Sequence, residues 1–218
     1  MKKNQNASFR NIGQVHCLYN LLAPISETVR HTARKMVIPS IKEELLFIVV
    51  HYQSKLRWND SNQAAHSPEL SRFIETAENL VGHSKTIVLG DFNMNPFEFG
   101  MVQTTGVHAI MDKKIALEEQ RIVDSNEYKF FYNPMWSFFG ENGKGNVNGT
   151  FYYRKAEPIC YFWNIIDQVI FRPEAIKYFD EDSLSILSST PNYNLLTNSG
   201  KIDQNISDHL PVTFNLKF

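Results

Sequence analysis

Leu45-Leu46-Phe47-Ile48-Val49-Val50, followed by His51, is an unbroken apolar run with β-branched residues at its end. Six apolar residues without alternation predict a strand covered on both faces. Downstream, Ser67-Pro68-Glu69 has the form of a helix start, with Ser67 as cap, Pro68 in the first turn and Glu69 at the positive end of the dipole. Leu70, Phe73, Ile74, Ala77, Leu80 and Val81 then recur at helical spacing, and Gly82 is a natural stop. Thr86-Ile87-Val88-Leu89 is a second buried strand, ending in Gly90-Asp91. Strand, helix and strand in this order predict a right-handed crossover between parallel strands.

On the C-terminal side, Asn95-Pro96 predicts a second helix cap and first turn, and residues 97–130 are mixed, with helix in pieces. Gly140 to Gly149 holds four glycines and three asparagines, a loop or hairpin region. Phe151-Tyr152-Tyr153 and the stretch from Trp163 to Phe171 predict strands, with Ile165, Asp167, Val169 and Phe171 on one face. Residues 180–205 are polar and turn-rich, and Pro211 to Phe218 predicts a closing strand with Val212, Phe214 and Leu216 alternating. On the N-terminal side, residues 1–30 show no period, so residues 1–44 are expected to be a poorly defined segment, a remnant of the domain whose catalytic body is 45–218. Strands in both crossover and meander-like runs argue for a layered α/β sandwich.

The chain has 218 residues, 43% hydrophobic and 21% charged, which suits one globular domain. Its net charge of −1 excludes a global basic field for nucleic acid, although Lys55 and Arg57 form a local pair. Two cysteines, Cys17 and Cys160, exclude a disulfide framework and zinc-ligand spacing, and point to a reduced, cytoplasmic setting. No apolar run approaches the roughly 20 residues of a membrane-spanning helix.

Asp91 and Asn93 follow a strand directly. If the chain stays extended, both side chains point the same way and can hold a cation or a water; a capped turn explains the pair equally well. Asp167 lies among isoleucine, valine and phenylalanine, where a carboxylate needs a partner such as histidine. Asp208-His209 precedes the last strand, and His51 ends the first; each alone reads as readily as a structural residue. Together they gather at or beside strand ends, where α/β sheets collect their sites.

Four segments in this order resemble the endonuclease/exonuclease/phosphatase family, deoxyribonuclease I-like. They are Val49-Val50-His51-Tyr52-Gln53-Ser54, Ile87-Val88-Leu89-Gly90-Asp91-Phe92-Asn93, Ile166-Asp167-Gln168-Val169 and Ser207-Asp208-His209-Leu210-Pro211-Val212. The resemblance implies a four-layer α/β sandwich of two packed mixed β-sheets with outer helices. It implies a hydrolase that cleaves a phosphate ester with water, dependent on Mg²⁺ or Mn²⁺, with nucleic acid among the candidate substrates. In it His209 resembles the general base and Asp167 the carboxylate that orients it. Asp91 and Asn93 position the nucleophile, the phosphate or a metal, Asp208 is a metal ligand, and His51 donates a proton or hydrogen bond to the phosphate.

Family members also carry an earlier strand with an Asn and a helix with a metal-binding Glu. Neither is found before His51, where Glu27, Glu43 and Glu44 are the available acids. The chain is therefore expected to lack the N-terminal part of the domain, with weaker metal affinity and with exposed sheet edges prone to self-association. A second reading follows, in which the chain is a non-catalytic remnant that acts as a binding module or needs a partner chain.

Overall fold

The computed structural model describes residues 22–218. Strand β1, Leu22–Glu27, pairs antiparallel with β2, His31–Ile38, and β2 pairs antiparallel with β3, Glu43–His51. The segment 1–44, expected to be poorly defined, thus supplies two strands of the main sheet from residue 22 onward; residues 1–21 lie outside the described residues. The sequence of β2, His-Thr-Ala-Arg-Lys-Met-Val-Ile, has no clear hydrophobic period, and it is ordered by continuous pairing from His31↔Val50 to Ile38↔Glu43. Its charges are matched by neighbours, Arg34 to Glu27 at 3.2 Å and Lys35 to Glu44 at 2.8 Å.

Helix α1, Asp60–Val81, crosses from β3 to β4, Thr86–Asp91, and the two strands pair in parallel from Leu46↔Thr86 to His51↔Asp91. The crossover expected from the sequence is present, but the helix begins earlier than Ser67. Asn59 caps it, accepting from the Asn62 N–H at 2.8 Å. Pro68 therefore lies in the helix interior, where it has no N–H to give the Ala64 carbonyl. Ser67 Oγ at 2.9 Å and Gln103 Nε2 at 2.7 Å donate to that carbonyl instead. Leu70, Ile74 and Ala77 face the sheet as expected, whereas Leu80 points to solvent. Gly82 closes the helix in the left-handed conformation and donates to the Glu78 carbonyl.

Beyond β4, the stretch predicted to begin with an Asn95-Pro96 cap behaves differently. Asn95 ties two loops together: its Oδ1 accepts from the Ile165 N–H at 2.8 Å and its Nδ2 donates to Asn164 Oδ1 at 2.9 Å. Short helix α2, Phe99–Val102, starts after Glu98, and β5, Ala109–Ile110, α3, Lys113–Ala116, the hairpin of β6, Gln120–Val123, and β7, Asn126–Lys129, and β8, Phe131–Tyr132, complete this region. A small ribbon then pairs β9, Phe151–Tyr152, with β10, Trp163–Asn164. Strand β11, Asp167–Phe171, runs antiparallel to β4. Short helix α4, Pro173–Ile176, precedes β12, Phe179–Ile186, and β13, Val212–Leu216, which pair with each other.

Among the described residues the main sheet is mixed and seven-stranded, in the order β1-β2-β3-β4-β11-β8-β5. Alternation along β3 divides its side chains between two cores. Leu46, Ile48 and Val50 pack with Val88 and Ile170 under Leu70, Ile74 and Ala77 of α1. Leu45 and Phe47 face the other way, with Ile87, Val169 and Phe171, toward Phe179, Leu184 and Ile186 of β12 and Phe214 of β13. The Phe171 and Phe179 rings stack at 4.2 Å. The uninterrupted apolar run read in the sequence reflects this two-sided burial. Of the layers expected, the described residues show a helix, the large mixed sheet, and a two-stranded ribbon in place of a second large sheet.

Candidate active site

Parallel pairing of β3 with β4 puts His51 beside Asp91, and antiparallel pairing of β11 with β4 puts Asp167 on the other side of Asp91. Three site residues thus form one row across the sheet, set by strand register. His209 reaches this row from the loop before β13. Its Nδ1 lies 2.7 Å from Asp167 Oδ2, its backbone N–H donates to Ser207 Oγ at 3.1 Å, and its main chain bridges to Phe151. His51 Nε2 stands 3.8 Å from Asp91 Oδ2, with most of its ring in solvent.

The turn after β4 is not extended. Gly90 has a φ of +130°, and a Cβ there would lie 2.1 Å from the Val50 carbonyl oxygen, so only glycine permits this approach of β4 to β3. Asn93 adopts a φ of 51°, a conformation that asparagine tolerates better than most residues. Its N–H donates to Asp91 Oδ1 at 2.7 Å and its Nδ2 to Asp91 Oδ2 at 2.8 Å. The capped turn and the convergence of Asp91 with Asn93 are therefore one structure. A second bond from Asn93 Nδ2 reaches the Tyr52 carbonyl at 3.0 Å. Gln63 of α1, fully buried, donates to the carbonyls of Gln53 and Asn93 and clamps the two loops from below. Gln63 has no sequence signal of its own, and Asn95 and Phe151 read only as a helix cap and a strand residue; their partners, distant in the chain, mark them as part of this site.

Burial pushes the Asp91 carboxyl up to about 7, and the charge of Asp167 adds to the rise, while His209 and the hydrogen bonds from Asn93 oppose it. Burial lowers the basicity of His209, but the hydrogen bond and charge of Asp167, with Asp91 and Asp208, outweigh this and raise it to about 9. The free site therefore favours the protonated form of His209, and a water-activating role belongs to the form that has lost that proton. Five of the six predicted residues, His51, Asp91, Asn93, Asp167 and His209, come together. Asp208 is exposed and acts on His209 through its charge.

The Mg²⁺ or Mn²⁺ ligand set implied by the resemblance, Asp91, Asn93 and Asp208, does not find a matching arrangement. Among the described residues no group of three or more His, Cys, Asp or Glu side chains is placed to hold a metal ion. Both Asp91 oxygens accept hydrogen bonds from Asn93, whereas a hard divalent cation takes about six oxygen ligands. By themselves the described residues do not make up a complete ligand set for a resident metal.

No family model matches this sequence, and no curated protein matches it. Solved structures of similar shape include the human Nocturnin catalytic domain with bound sulfate, at 14% identity over 91% of this chain and 62% of that one, with a TM-score of 0.46. An endonuclease/exonuclease/phosphatase family protein from Bacteroides thetaiotaomicron is 13% identical over 85% of this chain and 53% of its own, with a TM-score of 0.48. A mannosyl-6-phosphatase of the same organism is 17% identical over 86% and 57%, with a TM-score of 0.47. The chain spans less than two thirds of the length of each. At identities this low, residue roles rest on the geometry above.

Proposed function

We propose that this chain is a phosphoesterase of the endonuclease/exonuclease/phosphatase type, hydrolysing a phosphate ester by attack of water. The observation that carries the reading is the Asp167–His209 pair at 2.7 Å, aligned by register with Asp91 and His51 at one end of the sheet. In this reading the neutral form of His209 takes a proton from water through Nε2 as the water oxygen bonds to phosphorus. Asp167 fixes the ring by accepting from Nδ1 and stabilises the imidazolium that forms. As the ester P–O bond breaks, His51 donates to a phosphoryl oxygen, and the amide of Asn93 orients Asp91 toward the water or phosphate. The Mg²⁺ or Mn²⁺ requirement stays part of the proposal through the resemblance alone, and no step is routed through it.

The test is hydrolysis of bis(p-nitrophenyl) phosphate and of DNA, with Mg²⁺ or Mn²⁺ added. His209→Ala and Asp91→Ala are expected to reduce turnover by about 10²- to 10⁴-fold, with thermal unfolding near that of the parent. Absence of turnover by the parent chain on nucleic acid, phospholipid head groups and generic esters would sink the catalytic reading. It would favour the second one, a binding module or a chain that needs a partner.

A cytoplasmic setting is proposed with it. No helix among the described residues is long and apolar enough to cross a membrane. Self-association through sheet edges gains no support: β1, one of the two edge strands among the described residues, carries Pro24 and a register break between Pro24 and Ser26, both of which blunt an edge.

A further inference from the structure

His209 is the inner end of an aromatic wall. The Phe151 ring lies 4.9 Å from the His209 ring, and the Tyr153 ring stacks on Phe151 at 6.1 Å with only 17° between their planes. Tyr153 is 39% exposed, and the wall opens to solvent there. At its outer end Lys155 Nζ stands 5.7 Å over the Tyr153 ring, and Arg154 is exposed beside it. The local ribbon fixes this geometry, with the Tyr153 N–H donating to the Phe162 carbonyl at 2.7 Å. Phe162 holds a φ of 63°, which is unusual for an aromatic residue and is found where surrounding structure over-determines the backbone. Neither the fold nor the water-activating pair requires parallel rings to reach the surface here.

Parallel rings ending at cations match one ligand chemistry, a nucleobase linked to phosphate. We infer that the substrate carries a nucleobase next to the scissile phosphate, that the base stacks along Phe151 and Tyr153, and that the next phosphate meets Arg154 and Lys155. The inference rests on the phosphoesterase reading for the position of the scissile phosphate beside His209. Base stacking on an exposed aromatic tolerates any base. Lys155 is paired in the free chain with Glu157 at 2.6 Å, a contact between two exposed groups that is readily exchanged for a phosphate. With a net charge of −1, attraction to a polyanion must come from such a local pair of cations. A lipid surface would use the exposed apolar groups of Ile159, Tyr161 and Phe162 but has no need of stacked rings beside the catalytic histidine.

The experiment is fluorescence anisotropy of a labelled single-stranded oligothymidylate with phosphorothioate linkages, titrated with the intact chain. Saturable binding that weakens with salt is expected. Tyr153→Ala should weaken it about tenfold, Tyr153→Phe should retain it, and Arg154→Gln should weaken it and flatten the salt dependence. Competition by adenosine monophosphate at similar concentrations identifies a nucleotide as the source of the base; its failure to compete identifies a nucleic acid strand. No binding by the parent chain, or binding unchanged in Tyr153→Ala, overturns the inference, as does capture of phosphatidylserine vesicles with the same Tyr153 dependence. Binding without hydrolysis of any ester defeats the phosphoesterase reading alone. Hydrolysis of bis(p-nitrophenyl) phosphate without oligonucleotide binding defeats this inference alone.

Discussion

Gly90 has no room for a side chain, because β3 runs against it and its own backbone is in a region closed to most residues. Gly90→Ala would drive a methyl into the Val50 carbonyl, so the strands must separate where His51 and Asp91 are paired. This substitution is expected to destabilise by more than about 2 kcal/mol, measured by urea unfolding, and to reduce phosphoesterase activity further than the stability loss accounts for. Asn93 is legible at the same scale. An asparagine three residues after that glycine suits a left-handed turn, and the turn makes its amide and N–H fold back on Asp91. By contrast, the pairing of Asp167 with His209 joins residues 42 apart in sequence, and only the expectation that a carboxylate among apolar neighbours needs a partner pointed to it.

Element boundaries are set by capping contacts as well as by periodicity. Ser67-Pro68-Glu69 has every local mark of a helix start, yet α1 is capped eight residues earlier, at Asn59, and begins at Asp60. The difference lies in contacts from other elements: Gln103 supplies a donor for the Ala64 carbonyl that Pro68 leaves unpaired and bonds Ser67 Oγ at 2.7 Å. With its interior proline accommodated, the helix extends back to Asn59. Asn59→Ala is accordingly expected to cost about 1 kcal/mol, read as a lower urea midpoint with unchanged cooperativity. If the cap had no effect on stability, the observed start of α1 would carry no energetic weight. In β2 the same rule works in reverse, since a charged, aperiodic segment becomes a strand by pairing along its full length with the apolar β3.

Across the whole molecule, two buried histidines make stability depend on pH. Burial, with the charges of Arg30 and His66, lowers His31 to about 4; burial, with the charges of Arg121 and Arg172, lowers His108 to about 4 against a bond to the Lys129 carbonyl. His108 accepts from Arg121 Nε at Nε2, 3.1 Å away, and is 3.1 Å from the Lys129 carbonyl through Nδ1, so protonation would put a second cation against Arg121. Both folded values lie below the unfolded value near 6.5, so the unfolded chain binds more protons between pH 6.5 and 4. Stability is therefore full above pH 6.5, falls as the pH drops through this window, and levels off below about 4 as far as these two groups are concerned. Urea midpoints measured from pH 7 to 4 are expected to decline by less than these two groups alone would give, because Asp91, raised to about 7, takes up its proton in the folded chain over the same window, and His108→Gln should make the decline shallower still. An unchanged slope in that variant would remove His108 from the account.

Three features are legible in the chain alone: the crossover of β3, α1 and β4, the two-sided burial of β3, and the glycine–asparagine turn that follows β4. These follow from local order: an unbroken apolar run, a helical period, a glycine and an asparagine at a strand end. Only tertiary contacts bring residues 22–38 into the sheet and let α1 start at Asp60, capped by Asn59. They alone place Gln63 and Asn95 under the site and Phe151 against His209. They also leave Asp208 exposed, apart from the row of Asp91 and Asp167. The physical reason is common to all of these: each depends on partners far apart in the chain, whose distance is fixed by strand register and burial and leaves no mark on the local pattern of residues.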